Sequence, residues 1–126
     1  MTETKISASD LYFDALNNID QERFLSCFAD DAEIHDPYGG RPFVGKEGVR
    51  KWFSGFERTW SNFSIEGDDP FHCGDRLAVK WSVRGEAKSG KIADFSGIDI
   101  FTIGQEGLIT RMEGYWDAPT MLAQIR

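Results

Sequence analysis

Hydrophobic positions in the first half of the chain recur at helical spacing and predict three helices. Ser7 followed by Asp10 is a capping-box-like start for the first helix, which Asn17 and Asn18 weaken at its end. Asp20 is the predicted N-cap of a shorter second helix, which residues 29–31 close. The third helix begins after residue 45. The inward-facing apolar positions are Leu11, Ala15, Leu16, Ile19, Phe24, Leu25, Cys27, Phe28, Val49, Trp52, Phe53 and Phe56.

Alternation of apolar and polar positions in the second half predicts extended strands. A short strand at 32–36 precedes the third helix and ends at Pro37, because proline cannot donate to a strand ladder. The later predicted strands cover 62–65, 77–83, 95–102 and 108–116, and a helical turn covers 118–125. This order predicts an α+β fold in a single domain, residues 1–126. Such an order packs the helices on one face of an antiparallel β-sheet, and a sheet that curves around its helices would leave an apolar pocket between the two layers.

Composition narrows the classes of partner that the chain can bind. Its formal net charge is −7, which disfavours nucleic acid and anionic membrane surfaces because both bind basic patches. Four Trp, three Tyr and ten Phe residues are enough to line a pocket for a hydrophobic small molecule. Cys27 and Cys73 form no evident disulfide framework, and the N-terminus leads into no apolar run of signal-peptide type. We therefore expect a cytoplasmic protein.

Asp99 is an acid in an apolar strand. It shares one strand face with Gly97 and Phe101, while Ile98 and Ile100 occupy the other face, so burial is expected on either side. An isolated buried carboxylate is costly. The group therefore either pairs with a cation or backbone amides, or stays protonated because desolvation raises its pKa. In the protonated state it can donate a hydrogen bond to a ligand.

Asp36 and Tyr12 are two further candidates for a functional site. Asp36 precedes Pro37 at the end of a predicted strand, where an aspartate either caps a turn or acts as a general base at a cavity mouth. Tyr12 lies one helical turn before Leu16 on the inward face of the first helix. Its phenol either bonds a core carbonyl or donates to a ligand. Sequence spacing alone does not bring these residues together.

Other kinds of site lack support in the sequence. His35 and His72 show no zinc-ligand spacing with the cysteines, and the glycines match no phosphate-binding or dinucleotide motif, so no cofactor or metal is expected. His35 alternates with Asp36 and should face the opposite side of its strand. The tryptophans are assigned to the core or the pocket wall: Trp52, Trp60, Trp81 and Trp116.

Several short motifs carry a resemblance to a known family. They are Tyr12-x-x-Ala15-Leu16-Asn17, Phe28-Ala29-Asp30-Asp31-Ala32, Asp36-Pro37-x-Gly39, Gly97-Ile98-Asp99-Ile100-Phe101, and the stretch from Gly107 through Arg111-Met112 to Tyr115-Trp116. With these motifs the chain resembles the Δ5-3-ketosteroid isomerases of the NTF2-like/SnoaL-like superfamily. The resemblance implies a cone of curved sheet over three helices, and usually a homodimer formed through the outer sheet face.

The resemblance also implies roles for the three candidates. Asp36 falls at the general base, Tyr12 at the oxyanion-hole tyrosine, and Asp99 at the protonated oxyanion-hole acid, with no cofactor. One departure concerns Phe53, which stands where the isomerases have a tyrosine that supports the oxyanion tyrosine. The supporting hydrogen-bond network is therefore expected to be absent or different.

Three functions follow as alternatives. The first is a steroid Δ-isomerase-like enzyme that moves a double bond of a β,γ-unsaturated ketone into conjugation through a dienolate. The second is a SnoaL-like polyketide cyclase, which an inward-facing His35 would favour. The third is a non-catalytic small-molecule binding protein, in which Asp99 would be held in a salt bridge and Asp36 would face solvent.

Overall fold

The computed structural model describes residues 7–126, and these residues form four helices and seven strands. The helices are α1 (Ala8–Asn18), α2 (Gln21–Ser26), α3 (Gly45–Thr59) and α4 (Ala118–Ile125). The strands are β1 (Phe28–His35), β2 (Phe43–Val44), β3 (Trp60–Gly67), β4 (Phe71–Cys73), β5 (Arg76–Ala87), β6 (Ile92–Ile103) and β7 (Ile109–Tyr115).

The predicted helix starts are confirmed by side-chain caps. Ser7 Oγ accepts a hydrogen bond from the Asp10 amide at 3.2 Å, and Asp20 Oδ1 accepts one from the Arg23 amide at 3.1 Å. Each cap satisfies an amide that has no partner within its helix. These caps fix where α1 and α2 begin, and hence the turn of α1 on which Tyr12 lies.

The strands form one curved sheet in the order β2-β1-β7-β6-β5-β3, with β4 paired to β5. The predicted α+β fold is confirmed. Most neighbours are antiparallel, and the long β5–β6 ladder runs from Arg76 opposite Thr102 to Glu86 opposite Ile92. The pair β1–β7 is parallel. Both short strands, β2 and β4, lie outside the predicted set, because two or three residues are too few to show alternation.

β1 begins earlier than the sequence pattern indicated. The prediction placed residues 29–31 at the close of the second helix, whereas they lie inside the strand that begins at Phe28. The reason is tertiary: Phe28 pairs with Ile109 of β7, and the Ile109 amide donates to the Cys27 carbonyl at 2.8 Å. A register shift between Phe28 and Glu33 then absorbs the polar residues of this segment.

The helices α1, α2 and α3 cover the inner face of the sheet, and the core between the layers is largely aromatic. Tyr12 of α1 packs edge-on against Phe101 of β6 and Phe28 of β1, with ring centroids 5.1 and 6.2 Å apart. Within residues 7–126, no helix combines the length and the apolar character needed to cross a membrane. The curvature of the sheet leaves a cavity between the layers toward α3 and α4.

Candidate active site

The cavity has a volume of about 330 Å³ and is lined mainly by aromatic and aliphatic side chains. Tyr12, Asp36 and Asp99 all line it, so the structure brings the three sequence-predicted residues together. Thr59 also lines the cavity, but its hydroxyl is already bonded to the Gly55 carbonyl at 2.8 Å. The phenol and the two carboxyl groups therefore supply most of the hydrogen-bonding capacity offered to a ligand.

The two carboxyl groups converge above Gly114 of β7. Asp99 lies directly opposite Gly114 in the β6–β7 ladder, and β1 delivers Asp36 beside it because His35 pairs with Glu113. A Cβ at residue 114 would overlap Asp36 Oδ1 and would lie 3.2 Å from Asp99 Oδ1. A glycine at this position is what allows both carboxyl oxygens to occupy the same part of the cavity.

Asp99 is the more deeply buried acid, with 2% of its surface exposed. It makes no ion pair with the residues of 7–126, and its Oδ1 has no hydrogen-bond partner there. Burial raises the pKa of Asp99 well above its usual range, and the nearby charge of Asp36 raises it further. A neutral carboxylic acid at this position can donate a hydrogen bond into the cavity.

Asp36 is partly buried and accepts a hydrogen bond at 2.5 Å from Trp116 Nε1 to its Oδ1. Burial raises the pKa of Asp36 to about 6, while the indole N–H groups of Trp116 and Trp52 act in the opposite direction. Donors that stabilise the carboxylate keep it ionised at neutral pH despite its apolar surroundings. The two acids therefore differ in environment: indole donors favour the carboxylate form of Asp36, whereas burial and the charge of Asp36 favour the neutral form of Asp99.

Tyr12 is 2% exposed and sits in a cage of phenylalanine rings, two of which are Phe24 and Phe101. Burial raises the pKa of its phenol, and the charges of Asp99 and Asp36 add to this effect. The hydroxyl therefore stays protonated and can donate. Phe53 is fully buried, and its ring centroid lies 5.0 Å from that of Phe24. As the sequence indicated, a phenylalanine here has no hydroxyl that could support Tyr12.

The sequence analysis missed Trp116 as a polar member of the site, since it placed all four tryptophans in the core or the pocket wall. One signal could have found it: Trp116 lies two residues after Gly114, at the end of a strand in which alternate residues share a face. The hydrophobic pattern counts an indole as apolar and does not register its N–H donor.

His35 lies on the other side of the sheet, as expected. Its ring nitrogen Nε2 bonds Glu33 Oε1 at 2.9 Å, and it does not line the cavity. Arg111 joins this outer cluster through Glu113, with Nε 2.8 Å from Oε2. Among residues 7–126 there is also no group of three His, Cys, Asp or Glu side chains able to hold a metal ion.

A curved sheet over helices that encloses an acid-lined apolar cavity defines an NTF2-like cone domain. The chain belongs to the SnoaL-like domain family, whose model matches residues 10–112. A search of curated proteins found no match to the sequence.

Solved structures with the same fold include proteins of several activities. RV0760c from Mycobacterium tuberculosis, solved with estradiol-17beta-hemisuccinate, is 25% identical with a TM-score of 0.79, over 90% of this chain and 93% of that one. The Δ5-3-ketosteroid isomerase from Mycobacterium sp. is 21% identical, with a TM-score of 0.78 over the same shares of the two chains. The epoxide hydrolase/cyclase-like enzyme SalBIII is 22% identical, with a TM-score of 0.80 over 90% of each chain.

Proposed function

We propose that this protein is a cofactor-independent isomerase that moves the C=C bond of a β,γ-unsaturated, steroid-like ketone into conjugation with the carbonyl. The observation that carries the proposal is the convergence of Asp36 and Asp99 above Gly114 in the apolar cavity that Tyr12 also lines. An ionised acid beside two neutral donors is the set of groups that an enolisation needs.

The proposed reaction has two proton transfers and one intermediate. The Asp36 carboxylate removes a proton from the carbon between the carbonyl and the alkene, and the electron pair moves to form a dienolate. Tyr12 and protonated Asp99 donate hydrogen bonds to the dienolate oxygen. Asp36 then returns the proton to the γ-carbon, so the enzyme and the proton count are restored. A general base contributes roughly 10²–10⁴-fold, and each preorganised donor about 10²–10³-fold.

Three observations favour the isomerase over the alternatives. In a purely binding protein, Asp99 would be held in a salt bridge and Asp36 would face solvent. Within residues 7–126 Asp99 has no ion pair, and Asp36 lines the cavity. A cyclase of the kind considered would direct His35 inward, whereas His35 is bonded to Glu33 outside the cavity.

The substrate class follows from the cavity and from what related structures bind. RV0760c was solved with a steroid ester, and a computationally designed 17-OHP binder shares the fold with a TM-score of 0.79. The cavity here, about 330 Å³ and rich in aromatic rings, suits a flat apolar ligand that carries one carbonyl at its deep end.

The test is an isomerisation assay with a 5-ene-3-ketosteroid in D₂O, which follows conjugated-enone absorbance and deuterium incorporation. Asp36→Asn is expected to reduce kcat at least about 100-fold because it removes the base, while equilenin-like phenols still bind. In the unaltered protein, kcat/KM should fall below about pH 6, where Asp36 becomes protonated. Asp69→Asn, an exposed acid, is the matched control. Absence of both isomerisation and deuterium exchange in the unaltered protein would contradict the proposed function.

We also propose that the protein is a homodimer, as the resemblance to the isomerases implies, and that it is cytoplasmic, as its cysteine usage and N-terminal sequence led us to expect. Support comes from apolar and aromatic side chains exposed on the outer sheet face, namely Ile98 and Tyr115, with Tyr38 stacked 5.3 Å from Tyr115. Sedimentation velocity of the purified protein distinguishes a dimer from a monomer.

A further inference from the structure

Two buried polar atoms of the cavity wall lack hydrogen-bond partners among residues 7–126. They are Trp81 Nε1 and Asp99 Oδ1, and both side chains line the cavity. Trp81 is 4% exposed and Asp99 is 2% exposed, so bulk water does not satisfy either group. Buried polar atoms without partners are rare and costly, which suggests that these two atoms are used together.

The sheet register makes Trp81 and Asp99 diagonal neighbours on the inner face. In the β5–β6 ladder Trp81 lies opposite Gly97, two residues before Asp99. Because Gly97 has no side chain, the Trp81 indole can lie across β6. A Cβ at residue 97 would lie only 2.7 Å from Trp81 Cζ2. This ring atom is bonded to the carbon that carries the indole nitrogen. Burial and the charge of Asp36 raise the pKa of Asp99, and the indole N–H of Trp81 acts in the opposite direction.

The chemistry of the two groups determines where the acid proton can lie. An indole N–H can donate a hydrogen bond but cannot accept one. A carboxyl oxygen that accepts this bond therefore cannot donate its own proton to the indole. Asp99 Oδ1 approaches the same point above Gly114 as Asp36 Oδ1 does. A proton on Asp99 Oδ1 would therefore be directed toward the base, where it would be of no use to the ligand.

We propose that Trp81 is a positioning residue: in the ligand-bound protein its indole N–H donates to Asp99 Oδ1 and thereby keeps the acid proton on Oδ2, directed at the ligand. The inference rests on the proposed function only for its effect on turnover. The titratable side chains that face Asp99 are Asp36, from the end of β1, and Tyr12, from α1. Neither of these can replace the indole, because one accepts hydrogen bonds and the other donates toward the ligand.

The test removes the N–H of Trp81 in two variants, one that also replaces the indole ring and one that keeps its shape. Trp81→Phe, and a second variant in which benzothienylalanine replaces Trp81 and puts sulfur in place of the N–H, should each weaken binding of an equilenin-like phenol about three- to tenfold. Both should lower kcat by a similar factor with KM nearly unchanged. The Asp99 carboxyl, followed by ¹³C NMR, should titrate at higher pH than in the unaltered protein, because a donor to the ionised form has been lost.

The sign of the titration separates positioning from packing. Loosened packing would admit water and move the Asp99 titration to lower pH, which is the opposite direction. Trp60→Phe, at another buried tryptophan of the cavity wall, is the matched control and should leave the Asp99 titration in place. If Trp81→Phe does not fold, the ring-preserving variant decides.

Three results would overturn the inference: an unmoved Asp99 titration, one moved to lower pH, or full phenol affinity in the ring-preserving variant. These readouts need no turnover. An inactive protein that still shows the predicted titration and phenol affinities would refute the proposed function and leave the positioning role intact.

Discussion

Gly114 shows how a single residue determines the geometry of the site. β6 and β1 each bring a carboxyl group next to it, from opposite sides of β7. Any side chain there would compete with Asp36 Oδ1 for the same volume. The residue contributes no functional group, yet it determines how closely Asp36 and Asp99 approach each other.

Gly114→Ala should therefore reduce kcat/KM by roughly 10²-fold, because an added Cβ displaces Asp36 and small misplacements of a base are costly. Steady-state kinetics and a urea unfolding curve, measured on the same preparation, check this expectation. Gly40→Ala is the control, since the nearest atom to its Cβ would be Pro37 O at 4.0 Å. Undiminished kcat/KM in the Gly114 variant would show that Asp36 can move without loss.

The three candidate residues could be identified from the sequence because each is a polar group in an apolar stretch. Their convergence could not be, since it depends on pairings between β1, β6 and β7 that lie far apart in the chain. The tryptophans show a second limit. Trp116 and Trp81 fit the hydrophobic pattern, and only their neighbours in three dimensions show that the Trp116 N–H bonds Asp36 and that Trp81 lies diagonal to Asp99.

At the scale of elements, one side chain of α1 adds a pair of hydrogen bonds to the packing of this helix against the sheet. Asn17 Nδ2 donates to the Ile65 carbonyl at 3.1 Å, and Asn17 Oδ1 accepts from the Ile65 amide at 2.7 Å. The amide side chain thus pairs with the backbone of β3 as a strand neighbour would. The sequence indicated only a weak helix end here, because the partner lies 48 residues away. This tether fixes the position of α1 and hence of Tyr12.

Asn17→Ala should lower the free energy of unfolding by about 1–3 kcal/mol, since it leaves the Ile65 backbone groups unpaired. In the proposed reaction it should also lower kcat more than it raises KM, because Tyr12 loses its fixed position against the dienolate. Urea denaturation and steady-state kinetics measure the two effects. Asn18→Ala is the matched control, as the exposed Asn18 bonds only within its own helix, to Asp14. Equal losses in the two variants would argue against the tether.

At the scale of the whole molecule, the hydrophobic periodicity was sufficient to predict the layers, because helical spacing in the first half and alternation in the second half fix which faces are buried. The parallel β1–β7 pair was not predictable because it joins segments far apart in the chain, and the two shortest strands have too few residues to show alternation. The cavity is a consequence of the curvature of the open sheet. The cavity forms where the curved sheet diverges from the helices, and burial in it desolvates Asp36 and Asp99.

That desolvation has a cost for the whole fold. Burial raises the pKa of Asp99 in the folded state well above 3.8, its ordinary value in the unfolded chain, and the charge of Asp36 raises it further. Above about pH 4 the folded state therefore binds more protons than the unfolded state, and its stability falls as pH rises toward the folded-state pKa of Asp99. Each pH unit in this window costs about 1.4 kcal/mol. With its raised pKa, Asp99 thus makes the protein less stable at neutral pH than an uncharged residue at the same position would.

Asp99→Asn should remove this dependence, because an amide binds no proton in either state. The stability of the variant relative to the unaltered protein is expected to increase with pH, by up to about 1.4 kcal/mol per unit between about pH 5 and pH 7. Urea unfolding at pH 5, 6 and 7 measures the difference, with Asp69→Asn as the control for loss of one acidic residue at an exposed position. A difference that stays constant with pH would mean that Asp99 is ionised in the folded protein. In that case Asp99 could not donate a hydrogen bond to the dienolate oxygen, and its negative charge would repel that oxygen, which would contradict the role proposed for Asp99.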